Sequence, residues 1–322
     1  MSSPLASRVK PPALRPGDTI GIVAPASNVS RSDLEAGCEA LLRAGYEPFY
    51  LDSILDQDLY FAGSVDRRAR ELETMFGRPD VKAIICARGG YGANYLLPSL
   101  NLDIIKSHPK IFVGYSDLTA LLTYFSDAAG LVTFHGPMVA KDWAHNDGVD
   151  LLSWHAALTS TEAWELNLDA GSGVTGLVDG SAEGILYGGC LSILVASLGT
   201  PYEIRTQGTI LFLEDVAAKP YQIDRMLMQL KLAGKLKGVR GIVFGEMRDC
   251  LQNPNQAYKL EDIVVRIAGE LGIPMAYGVR SGHVSAGNIT LPIGVHASLT
   301  VREGQVNLKI LESAVTAAPP ND

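Results

Sequence analysis

A serine at a sharp bend, a histidine in a glycine-bearing loop and a carboxylate at the end of an apolar run are the three groups here that could perform acyl-transfer chemistry. The serine is Ser116, within KIFVGYSDLTALLTYF at residues 110–125. An apolar, β-prone run (Ile111, Phe112, Val113) ends at Gly114. Leu118, Leu121, Leu122 and Phe125 then follow the i, i+3, i+4, i+7 spacing of one buried helix face. A serine on such a strand-to-helix turn is lifted clear of the sheet, with helix N-terminal amides beside it to hold a developing oxyanion. The commoner role for Ser116 or Asp117 at this place is an N-cap. The pattern also departs from G-x-S-x-G, because Leu118 stands where the second glycine would be.

A serine hydroxyl is a weak nucleophile until a base takes its proton, and the base needs an acidic partner to fix its tautomer. His283, in Arg280-Ser281-Gly282-His283 after the short strand at Met275, is the candidate base. Glu214, with Asp215 beside it after the apolar run TILFL, is the candidate acid. A lone loop histidine is more often structural, and acidic residues at a strand end are often plain turn residues. His135, after another apolar strand, is the rival histidine and reads as a packing or hydrogen-bonding residue. A further loop, Arg88-Gly89-Gly90-Tyr91-Gly92, fits neither G-x-G-x-x-G nor G-x-x-x-x-G-K-[ST]. Its glycines suit a backbone donor to an oxyanion, or simply a tight turn.

These residues need a frame that presents several loops at one sheet end. The first part of the chain alternates strands (Thr19–Ala24, Val81–Ala87, 111–113, Leu131–Phe134) with helices (Asp33–Ala44, Val65–Phe76, the latter mostly charged on its exposed side). That order predicts a parallel sheet covered on both faces, with ligands beyond the carboxyl ends of the strands. The expected plan is a nucleophile domain over 1–140 and an interdomain connection over 141–183, which holds all three tryptophans. A C-terminal domain over 184–322 then carries the glutamate and histidine. Its end reads as β-rich, with strands at Ile289–Ile293, Ala297–Val301 and Val306–Ile310.

Composition narrows the function classes. With 322 residues, 47% hydrophobic and 19% charged, the chain suits a two-domain α/β enzyme. A net charge of −8 and the lack of a basic run argue against nucleic-acid binding. The four cysteines are scattered and the six histidines form no H-E-x-x-H, so neither a disulfide framework nor a metal site is expected. The sequence shows no apolar run long enough to span or target a membrane, which leads to an expected cytoplasmic location.

Taken together, the blocks LRPGDTIGIVAPAS, ARGGYG, VGYSDLTALL, GLVTFHGPM, YGGCLSIL, LFLEDV, YQIDRMLMQL and SGHVSAGNITLPIG resemble, in order, the serine L,D-carboxypeptidases of peptidase family S66. The resemblance implies Ser116 as nucleophile, Glu214 and His283 as its triad partners, and backbone N–H groups of Gly90 and Asp117 as oxyanion donors. It implies a flavodoxin-like N-terminal domain, a C-terminal domain of swivelling β/β/α type and a homodimer. The implied reaction needs no cofactor or metal: it releases the terminal D-alanine of a cytoplasmic murein tetrapeptide. Cys190 departs from the family, which often has asparagine there. An immunity-type branch that cuts a peptide–nucleotide antibiotic is the alternative within the family. A non-catalytic ligand-binding α/β protein is the alternative outside it.

Overall fold

The computed structural model describes residues 8–166, 168, 173–250 and 257–318. They form two compact units, one built on residues 8–162 with Ala286–Gly294 and 313–318, the other on Ala163–Ser285 and Val295–Glu312.

The first unit is a doubly wound sheet. Its strands are β1 (Thr19–Val23), β2 (Glu47–Phe49), β3 (Val81–Cys86), β4 (Ile111–Gly114) and β5 (Thr133–His135), connected through α1 (Arg31–Arg43), α2 (Val65–Gly77), α3 (Leu102–Ser107) and α4 (Thr119–Tyr124). They run parallel in the order β2-β1-β3-β4-β5, the flavodoxin-like order. Ile84, Ile85, Phe112 and Val113 are buried, as strands covered on both faces require. Ser30 and Ser64 cap α1 and α2 by accepting from the N–H of Asp33 and Arg67.

Helix α2 carries charge on its exposed side, at Asp66 and Arg70, and also on its inner side, which its pattern does not announce. Arg68 and Glu71 are buried on its inner side, beside Ala69, Leu72, Met75 and Phe76. Helix α5 (Leu151–Leu158) was not anticipated; it falls inside the expected connection 141–183. Trp154 on α5 packs edge-on against Trp143 at 5.0 Å between ring centroids, and both are buried. Two large indoles in one core make residues 141–162 part of the first unit rather than a linker. Residues 167 and 169–172 of that segment lie outside the described residues.

The second unit is an eight-stranded mixed sheet, in the order β6-β14-β13-β8-β9-β10-β11-β7. Its earlier strands are β6 (Trp164–Glu165), β7 (Thr175–Val178), β8 (Gly180–Cys190), β9 (Thr209–Glu214), β10 (Gly241–Gly245) and β11 (Met275–Val279). Strands β8 to β11 are mutually parallel, while β7 is antiparallel to β11. Helices α6 (Leu191–Ala196), α7 (Pro220–Leu232) and α8 (Leu260–Ala268) pack side by side.

The strand expected at Ile289–Ile293 is β12 (Leu291–Ile293), and it is not part of the C-terminal sheet. It pairs antiparallel with β5 and closes an edge of the first sheet. Thr290 packs so closely on Gly136 that a Cβ there would lie 3.0 Å from its hydroxyl oxygen. The chain then returns to the second unit as β13 (His296–Arg302) and β14 (Gln305–Ile310). The α/β class, with a parallel flavodoxin-like sheet in the first unit, is the expected one; the simple N-to-C domain plan is not what the chain does.

Candidate active site

The five residues picked out above fall into two groups, Ser116, Asp117 and Gly90 in the first unit, and Glu214 and His283 in the second.

Ser116 follows β4 directly and has φ +62°, a left-handed conformation that is costly for a serine. A 3-10 turn (Ser116–Leu118) leads from it into α4, and neither element starts with a side-chain cap. Asp117 instead accepts a hydrogen bond from the Ala93 N–H at 2.7 Å, outside its own helix. The structure therefore does not use Ser116 or Asp117 as the N-cap that sequence statistics favour. Leu118 takes the place of the missing glycine because Gly114 makes room for it: a Cβ at 114 would lie 3.1 Å from the Leu118 Cβ.

The glycine loop after β3 lies against this elbow. A Cβ on Gly89 would fall 2.8 Å from the Cβ of Ser116. Gly90 has φ +105°, and a Cβ there would fall 2.3 Å from the Ser27 hydroxyl. Ser27, from the loop after β1, accepts from the Tyr91 N–H at 3.1 Å and donates its own N–H to the Gly89 carbonyl at 3.3 Å. These loops sit at the carboxyl ends of β1, β3 and β4, where β1 and β3 form the topological switch point of the sheet.

Glu214 ends β9 and is 1% exposed. One of its oxygens, Oε2, accepts from the His283 Nδ1 at 2.8 Å and from the His283 backbone N–H at 3.1 Å. Nδ1–H donation to a carboxylate leaves Nε2 as the basic nitrogen, the tautomer a general base requires. The glutamate fits only because residue 245 on β10 is glycine: a Cβ there would lie 2.6 Å from its own. Arg248 donates to the Val284 carbonyl at 2.7 Å, and Glu246 accepts from the Ser285 N–H at 3.0 Å, holding the histidine loop from the next strand's loop. Ala217, Met247 and Asp249 in these loops have positive φ, strain of the kind that gathers at functional sites.

Asp215 has a different task. It accepts from the N–H groups of Ser192, at the start of α6, and Val216, both at 2.8 Å. Burial raises its pKa. Cys190 is buried beside Glu214 in the β8–β9 register, with Sγ 3.3 Å from the Ser192 hydroxyl. Burial pushes its thiol well above the usual range, so it is no ready thiolate. His135 is buried within β5, with its ring centroid 6.0 Å from that of Tyr115.

The sequence reading missed Ser27, Arg68, Glu246 and Arg248. For Arg68 a signal existed: it stands four residues before Leu72 and seven before Met75, on the apolar stripe of α2. Among the described residues no group of three or more His, Cys, Asp or Glu is placed to hold a metal ion, and no helix is long and apolar enough to cross a membrane.

Two family models match this chain, the LD-carboxypeptidase N-terminal domain over residues 20–136 and the LD-carboxypeptidase C-terminal domain over residues 183–299. A probable murein peptide carboxypeptidase of Bacillus subtilis is 39% identical over 295 residues, spanning 91% of this chain and 92% of the relative. The crystal structure of muramoyltetrapeptide carboxypeptidase from Oxalobacter formigenes is similar with a TM-score of 0.79 at 32% identity, over 92% of this chain and 100% of that one. The structure of the microcin C7 self-immunity protein MccF with glutamyl sulfamoyl guanosine gives a TM-score of 0.88 at 25% identity, over 95% and 99%. The chain belongs to the LD-carboxypeptidase family, peptidase S66.

Proposed function

We propose that this protein is a serine carboxypeptidase that hydrolyses the L,D peptide bond to the terminal D-alanine of murein tetrapeptides. The observation that carries the reading is the Glu214 carboxylate, buried and bound to both the ring and the backbone of His283. Such a pair supplies an oriented base, which a ligand-binding protein would not need.

In this reading Ser116 attacks the scissile carbonyl while His283 Nε2 takes its proton. The carbonyl oxygen becomes an oxyanion facing the N–H groups of Gly90 and Asp117, the fixed donors that such a charge requires. His283 then protonates the departing amine of D-alanine as the carbon–nitrogen bond breaks, leaving an ester on Ser116. Water, giving its proton to His283, attacks the ester; His283 then returns that proton to the departing Ser116 Oγ, freeing the shortened peptide and restoring both residues. Glu214 holds the imidazole tautomer and stabilises the imidazolium. Proton transfer of this kind contributes about 10²–10⁴ in rate. The residues call for no cofactor.

The same reading places the protein in the cytoplasm as a homodimer, in keeping with its family and with four cysteines that are all free thiols. The immunity-type alternative rests on one observation, the TM-score of 0.88 to MccF. Mass spectrometry of products from purified murein tetrapeptide, its pentapeptide and its L-alanine epimer tests the choice. Release of D-alanine from the tetrapeptide, with little action on the other two, is expected. Faster cleavage of an aminoacyl–nucleotide conjugate would transfer the assignment to the alternative.

A further inference from the structure

We propose that Arg68 and Asp117 are positioning residues that grip one peptide group, between Gly92 and Ala93, at its two poles and thereby fix the oxyanion loop beside Ser116. The inference rests on the oxyanion role proposed for Gly90 and adds what holds that amide in place.

Arg68 is 1% exposed and directs Nη1 at two carbonyls, Pro25 and Gly92, each at 2.8 Å. The first belongs to the loop after β1, the second to the loop after β3, so one guanidinium joins the two loops of the switch point. Its plane rests on Phe61, 4.8 Å from the ring centroid. Gly92, at φ +116°, is locked beneath it: a Cβ there would be 2.5 Å from Phe61 and 3.0 Å from the guanidinium. Asp117, 2% exposed, accepts the Ala93 N–H at 2.7 Å. The Gly92 carbonyl and the Ala93 N–H are two ends of the same peptide. A cation holds its oxygen and an anion its nitrogen, so the plane can neither flip nor tilt without breaking a charge-assisted bond. Glu71, on the same helix as Arg68, accepts from Ala24 and pairs with Arg67, bracing the first loop further.

Burying these charges is costly, and a loop of ordinary purpose needs only neutral partners. The outlay is intelligible where displacement of a nearby amide by about 1 Å loses about 10²-fold in rate. Gly90 is two residues from the gripped peptide and is tethered through Tyr91 to Ser27. Asp117 follows the nucleophile directly, so its side chain ties the glycine loop to the elbow.

The test compares Arg68→Met, Arg68→Lys, Asp117→Ala and Asp117→Asn in the full chain. Three readouts are used: kcat and KM for D-alanine release from murein tetrapeptide, the rate at which a fluorophosphonate labels Ser116, and thermal unfolding. Labelling forms an Oγ–phosphorus bond with loss of fluoride and places a phosphoryl oxygen where the oxyanion would sit. Arg68→Met and Asp117→Ala should lower kcat and labelling rate together, by about 10²-fold, with KM within about threefold of wild type. Lysine and asparagine keep a donor or an acceptor and should recover much of that loss. Folded Met and Ala variants with wild-type kcat and labelling, or losses seen in KM alone, would overturn the proposal. If Met or Ala fails to fold, the Lys and Asn variants decide: intermediate kcat supports the clamp, and unchanged kcat refutes it. Should the wild type take label at Ser116 yet release no D-alanine, the substrate reading fails while the labelling rates still judge the clamp.

Discussion

Gly89 and Ser116 are in contact through atoms that only one of them has: a Cβ on residue 89 would stand 2.8 Å from the serine Cβ and 3.1 Å from its hydroxyl oxygen. Gly89 is not among the glycines with positive φ, so alanine is tolerated by its backbone. The conflict is with the Ser116 Cβ, whose place the backbone sets, so the glycine loop and the elbow must move apart. Gly89→Ala is expected to lower kcat by at least about tenfold, because the hydroxyl must swing away from its line of attack. Its melting temperature should fall as well, because backbone has to give way to the added Cβ. Wild-type kcat in a folded Gly89→Ala protein would count against Ser116 as nucleophile.

Replacing Ser116 separates chemistry from strain. Ser116→Ala and Ser116→Gly should both lose turnover. Glycine, however, accepts φ +62° without the steric penalty of a Cβ, about 1 kcal/mol. Chemical denaturation should thus rank the glycine variant above alanine in stability. The reverse order would show that the elbow is not strained.

Glu214 and Asp215 are neighbours with different duties, and their amides should report it. Glu214→Gln removes the charge facing His283 and should cut kcat by orders of magnitude, about 10⁴ by analogy with the corresponding serine-protease change. Asp215→Asn weakens acceptors for Ser192 and Val216 and should appear mainly as lost stability, about 1 kcal/mol. A reversed ranking in kcat would require the triad to be redrawn around Asp215.

Acid should favour the fold through two carboxyl groups of the first unit. Burial pushes Asp117 up to about 6, against the N–H groups of Ala93 and Gly92 and the charge of Arg68. Burial likewise pushes Asp142 to about 6, against the Met138 N–H, the Asn288 and Tyr115 side chains, and the charge of Lys141. Each binds its proton more tightly folded than unfolded, where the usual value is 3.8. Their contribution is fully present below 3.8 and is lost as pH rises through about 6. Relative to an Asp117→Asn/Asp142→Asn double variant, the wild type should gain melting temperature on going from pH 7 to pH 5. A relative loss over that interval would contradict the raised pKa of both groups.

Much of the frame was legible in the sequence because parallel strands announce themselves as apolar runs, and β1, β3, β4 and β9 all lie within a residue or so of where those runs fall. The elbow could be placed for the same reason, since the helix face Leu118, Leu121, Leu122 and Phe125 is fully buried. What periodicity could not convey was partnership over long distances in the chain. Nothing local to Leu291–Ile293 says that it pairs with β5. Nor does the charge of Arg68 announce that carbonyls from two loops wait for it inside. The tryptophans misled because aromatic residues among polar ones look like a linker until Trp143 and Trp154 are seen in one core.

The route of β12 bears on how this chain can be made and dissected. The first sheet is not finished until residue 293 has emerged from the ribosome, although its other five strands are complete by residue 135. During synthesis β5 therefore waits with one edge open while the whole of Ala163–Ser285 is produced. An open edge of that kind is an invitation to wrong pairing. A fragment cut at residue 162 would carry the same fault permanently, so the first unit is not a separable module but a fold written in three stretches of the chain.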